Sequence, residues 1–120
     1  MASETWIALD LPPEALSPQE EGSRLFECRV EGKRICVARH QGEWFALGGR
    51  CPHANGPLAA GWIDAEACAV VCPWHRFAFD LRSGQSSSGG FYVETYALRI
   101  EGNRLMIRMG KKGFNWWGTK

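Results

Sequence analysis

Long apolar runs are missing from this 120-residue chain, and no stretch approaches the roughly 18 residues that a membrane-crossing helix needs. The opening residues, Met1 to Trp6, have neither the basic flank nor the apolar stretch of a signal peptide, so the expectation is a cytoplasmic protein with no membrane partner. An excess of charge of either sign is also missing. Fourteen Lys and Arg face thirteen Asp and Glu, for a formal net charge of +1, and the two signs are interspersed, which argues against a nucleic-acid partner. The five cysteines are an odd number and cannot all pair, and a disulfide framework belongs mainly to small secreted chains. Histidine is scarce, with three in all. The length suits one domain and leaves no room for a second catalytic module.

What is present is a strand rhythm. Apolar residues recur at every second position in Phe26, Cys28 and Val30, in Ile35 and Val37, in Phe77, Phe79 and Leu81, in Leu98 and Ile100, and in Leu105, Ile107 and Met109. Short turn signals separate these runs at Glu31-Gly32, Gln41-Gly42, Ser83-Gly84 and Gly102-Asn103. The pattern predicts an all-β fold, an antiparallel sandwich or small barrel. Only Pro13 to Glu21 has room for a helical turn, and the prolines around it exclude a long helix. A hairpin turning at Glu31-Gly32 sets Cys28 opposite Ile35 and turns Cys36 the other way, so no bond between these two thiols is expected. Cys28, Cys36 and Cys68 are expected in small apolar or surface positions.

Residues from about 48 to 90 differ in texture, being rich in glycine and proline among shorter strands. They read as a small metal-binding subdomain inserted into a β base, with a single domain over 1–110. Residues 111–120, with Trp116 and Trp117, form a basic aromatic tail, packed back onto the domain or open to a partner.

Inside that subdomain lie Cys51-Pro-His53 and Cys72-Pro-Trp-His75, a thiol and an imidazole on each of two loops. Sulfur and nitrogen donors suit iron-sulfur clusters, zinc or copper and not magnesium or calcium. Zinc fingers usually place two cysteines before two histidines, whereas here the types alternate. His40, beside Arg39 and Gln41 at a turn, reads as a solvated residue and not as a ligand.

Cys51-Pro-His53-Ala-Asn-Gly-Pro-Leu58, Cys72-Pro-Trp-His75 and Phe79-Asp80-Leu-Arg-Ser-Gly84 together resemble the cluster-binding region of Rieske two-iron, two-sulfur proteins. The resemblance implies one [2Fe-2S] cluster with Cys51 and Cys72 on one iron and His53 and His75 on the other, the second iron lying nearer the surface. Neutral imidazoles in place of thiolates make the oxidised cluster less negative and raise its reduction potential above that of all-cysteine clusters. High-potential members add a disulfide between the two loops and hydroxyl donors to the sulfurs. At the matching positions this chain has Gly56 and Trp74, then Phe77 and Phe79, which implies a potential at the low end of the Rieske range, roughly −150 mV. Asn55 stands where relatives often have glycine, a place an asparagine fills because it tolerates a left-handed backbone. Arg76 also replaces a frequent glycine, and with Arg50 it reads as a solvent-exposed charge or as one that steers an acidic partner. Ser86 to Gly90 takes the place of a third loop that shields the cluster in the family.

The function implied is a soluble one-electron carrier. It would take electrons from a flavoprotein or ferredoxin reductase and pass them to a terminal oxygenase, catalysing nothing itself. An oxygenase needs a further mononuclear iron held by two histidines and a carboxylate, and His40 is the only histidine left over. The alternative within the class is the small subunit of an assimilatory nitrite reductase, with a large subunit as partner. From other classes come a structural zinc-binding interaction domain and a redox or iron sensor.

Overall fold

The computed structural model describes residues 6–11, 22–52, 55–74, 76–86 and 90–109, and among these there is no α-helix. Among the described residues, ten strands form three antiparallel sheets. The first sheet orders β1 (Trp6–Ala8), β10 (Arg104–Arg108) and β9 (Leu98–Glu101), with β10 in the middle. The second orders β2 (Ser23–Val30), β3 (Lys33–His40), β4 (Glu43–Gly48) and β8 (Thr95–Tyr96). The third is small: β5 (Trp62–Asp64), β6 (Ala69–Val71) and β7 (Ala78–Asp80). In sequence it is inserted between β4 and β8 of the second sheet.

Two two-residue turns set the register of the second sheet. Glu31 and Gly32 have φ of 53° and 79°, and Gln41 and Gly42 have 52° and 83°. Left-handed pairs of this kind match the right-handed twist of a hairpin. The first turn pairs Cys28 with Ile35 and Glu27 with Cys36, so the two cysteines occupy opposite faces, as their spacing predicts. None of the five cysteines is in a disulfide.

Period-two burial holds on β2, where Phe26, Cys28 and Val30 are buried and Glu27 and Arg29 exposed, and on β10 with Leu105 and Ile107. It fails on β3, where Ile35 to His40 are all buried. The reason is layering. One face of the second sheet packs Phe26, Cys28, Ile35, Val37 and Ala46 against Leu105 and Ile107 of the first sheet. The other face packs Cys36, Ala38 and Leu47 against Val70 and Phe79 of the third sheet and against Leu58 and Leu81. A strand covered on both sides loses its alternation. Two positions depart from the sequence reading. Ile100, on edge strand β9, is 55% exposed, and His40 is buried at the end of β3, with Ser23 Oγ 2.6 Å from its Nδ1. The covered sheet draws that turn histidine inward. The region of Pro13 to Glu21 and the tail at 111–120 lie outside the described residues.

Candidate metal centre

Both cysteine loops leave the ends of strands, the first after β4 and the second after β6, and the two are closed by the same backbone pattern. In the first, Cys51 N–H donates to the Gly56 carbonyl at 2.8 Å and Asn55 N–H donates to the Cys51 carbonyl at 2.6 Å. In the second, Cys72 N–H donates to the Phe77 carbonyl at 2.8 Å and Arg76 N–H donates to the Cys72 carbonyl at 3.0 Å. Each ring therefore begins at its cysteine and encloses one histidine of the sequence. Each also closes through a left-handed residue, Asn55 with φ of 63° and Arg76 with φ of 60°.

The tolerance of asparagine was readable in advance; the strain at Arg76 was not, although the glycine usual there was its signal. A non-glycine residue in this region costs about 1–2 kcal/mol, partly offset by the greater chain entropy that glycine loses on folding. Arg76→Gly is expected to raise the unfolding free energy by roughly 0.5–1 kcal/mol in denaturant titration while leaving iron content unchanged.

The loops face one another. A Cβ placed on Gly56 would lie 2.8 Å from Cys72 Sγ and 3.2 Å from the Trp74 indole, so the first loop's backbone rests on the second loop's sulfur. Gly61, at the end of the 3-10 turn Leu58–Ala60, brings its backbone closer still: a Cβ there would lie 1.8 Å from the Val71 carbonyl oxygen. Both cysteines are 0% exposed. The two buried thiols on facing loops, with Gly56 letting the first loop approach the sulfur of the second, fit a soft-metal group. His53 and His75 lie outside the described residues, and among the described residues no three His, Cys, Asp or Glu come together as a metal set.

The other cysteines have different surroundings. Burial, and then the charge of Glu27, pushes the Cys36 thiol up to about 12, so it stays protonated and inert. Burial also raises Cys28, and Asp10 and Glu27 add to the effect. Around the second loop, Phe77 stacks at a tilt on Phe91 with ring centroids 5.4 Å apart, and Phe79 is 0% exposed. Neither ring can donate a hydrogen bond. The following turn is tied by Asp80, whose Oδ1 accepts from Ser83 N–H at 2.9 Å and from Arg82 N–H at 2.8 Å. The Ser83 bond leads in holding that carboxyl below its ordinary value. Arg50 and Arg76 are both exposed.

Two buried thiols on paired loops between a β base and a small sheet are an arrangement that an iron-sulfur protein can use. The Rieske [2Fe-2S] domain matches residues 10–91, more than half of the chain, and the chain belongs to that family. The family carries one Rieske [2Fe-2S] cluster. The chain is 30% identical over 95 residues to the ferredoxin component of the naphthalene 1,2-dioxygenase system of Pseudomonas putida, which covers 78% of this chain and 88% of that protein. It is 28% identical over 94 residues, 77% of this chain, to apoptosis-inducing factor 3 of Mus musculus, but spans only 15% of that protein's length. In fold it is similar to a structure assigned as an NADH-dependent nitrite reductase small subunit from Mycobacterium tuberculosis, with a TM-score of 0.74, 18% identity, and 88% and 96% of the two chains covered. No helix among the described residues is long and apolar enough to cross a membrane.

Proposed function

We propose that this chain is a one-electron carrier of an oxygenase system, holding its cluster through Cys51, His53, Cys72 and His75. When bound, the cluster supplies a one-electron couple. The observation that carries the reading is the pair of matched rings that bury Cys51 and Cys72 on facing loops. Phe77 and Phe79 pack in the core beside the second loop and stand where hydroxyl donors would favour the reduced form, which neither ring can supply. The partners proposed are a flavoprotein or ferredoxin reductase on one side and a terminal oxygenase on the other, as the 30% identity to a dioxygenase ferredoxin component supports.

Reductive titration followed by visible absorbance and electron paramagnetic resonance tests this. The expected midpoint is below zero, near −150 mV at the low end of the family range. A colourless protein holding zinc and no acid-labile sulfide would remove the carrier reading. Copurification with a sirohaem-containing large subunit would move the role to nitrite reduction.

A further inference from the structure

Positive charge is unevenly spread at the edge of the first cysteine loop. The β2–β3 hairpin ends against that loop, because Ile35 pairs with Gly48 and Gly49 N–H donates to the Arg34 carbonyl at 2.8 Å. A groove of about 430 Å³ opens there, lined by Arg29, Lys33, Arg34, Arg50, Pro52 and Tyr92 among others. Arg50 and Pro52 flank Cys51 in sequence, so the first cysteine loop supplies part of the groove's lining. Among the described residues that line it, Glu94, which accepts from the Tyr96 hydroxyl at 2.9 Å, is the one acid against four cations, Arg29, Lys33, Arg34 and Arg50, and beside the groove Glu27 lies 3.3 Å from Arg34. Arg29, Lys33 and Arg50 are exposed and have no ion pair among the described residues. Tyr92 is 64% exposed, an aromatic surface of the kind enriched at protein interfaces.

A chain of formal net charge +1 has no general pull on anions, so this local excess has to act by position. We infer that the groove is the docking surface for an acidic segment of a protein redox partner, seated on Arg29, Lys33, Arg50 and Tyr92 so that the first cysteine loop lies at the interface. This rests on the electron-carrier reading. A carrier has to bind and release quickly, and complementary charge raises the rate of encounter without requiring a long-lived complex.

The test uses the full chain with its cluster and a short fluorescein-labelled poly-L-glutamate as the acidic probe, read by fluorescence anisotropy. Binding is expected to weaken with sodium chloride. The groove variant R29E/K33E/R50E is expected to bind about ten-fold more weakly or worse. The control R24E/R82E/R104E changes net charge by the same amount elsewhere and is expected to stay within about two-fold. Visible spectra confirm that each variant keeps its cluster, and the milder R29Q/K33Q/R50Q serves if the charge reversal fails to fold. Equal weakening in groove and control variants would overturn the inference. So would displacement of the probe by inorganic phosphate beyond that caused by chloride of equal ionic strength, which would mark a small-anion pocket. Absence of a reducible cluster defeats the carrier reading by a separate measurement, whereas an unchanged probe affinity in a reducible groove variant defeats only the docking surface.

Discussion

Serine in place of Cys72 is expected to leave a protein with almost no iron and no visible absorbance, and Cys51→Ser to do the same. The thiols of both residues are buried at the start of matched hydrogen-bonded rings, and a serine hydroxyl is a much poorer soft-metal donor than a thiolate. Removing either anchor would leave its loop holding the bound group through one imidazole alone and one iron short of a thiolate. The informative controls are the other cysteines. Cys68 is half-buried, and Cys36 packs between the second sheet and the small one, with its thiol pushed up to about 12. Cys68→Ser and Cys36→Ala are expected to keep the full iron and acid-labile sulfide content, with Cys36→Ala costing about 1 kcal/mol of stability through its lost packing. Iron and sulfide assays on anaerobically purified variants decide the matter. Full loading of Cys72→Ser, or equal loss in Cys36→Ala, would show that the ligands have been misassigned.

The second large effect belongs to Gly61, which takes no part in binding. A methyl group there would lie 1.8 Å from the Val71 carbonyl oxygen and 3.2 Å from Pro73 Cδ. The obstacle is mostly backbone, so no rotamer change relieves it, and the 3-10 turn would have to separate from β6 where the second loop begins. Gly61→Ala is expected to cost more than about 3 kcal/mol and to lower the melting temperature by at least about 10 °C. Thermal unfolding of the cluster-loaded protein, followed by circular dichroism, gives the number. Gly32→Ala is the comparison: nothing lies within 4 Å of its added Cβ, so it feels only the cost of φ at 79°. A Gly61→Ala variant no less stable than Gly32→Ala would mean that the close approach does not constrain the loop.

Much of this was legible in the chain itself. The alternation of Phe26, Cys28 and Val30 and the Glu31-Gly32 turn are local features, and they gave the hairpin and the separation of Cys28 from Cys36 correctly. The Cys-Pro-His and Cys-Pro-Trp-His spacings stand out because metal chemistry demands particular donors at short spacings, and of those four residues the structure describes Cys51 and Cys72, both buried. What escaped depended on layers that meet only in three dimensions. Nothing local in Ile35 to His40 announces that both faces of β3 are covered, and so His40 was read as solvated when the fold buries it. The exposure of Ile100 likewise reflects its place on an edge strand and not its apolar character. The left-handed arginine follows from a ring whose closure joins residues four and five positions apart.

Those paired rings have a consequence for speed. The cysteine backbones are held by hydrogen bonds at both amide and carbonyl, and one loop rests its glycine on the other's sulfur, so these points of the frame are set before any charge arrives at its centre. Atoms that barely relocate between oxidation states add little to the barrier for exchange.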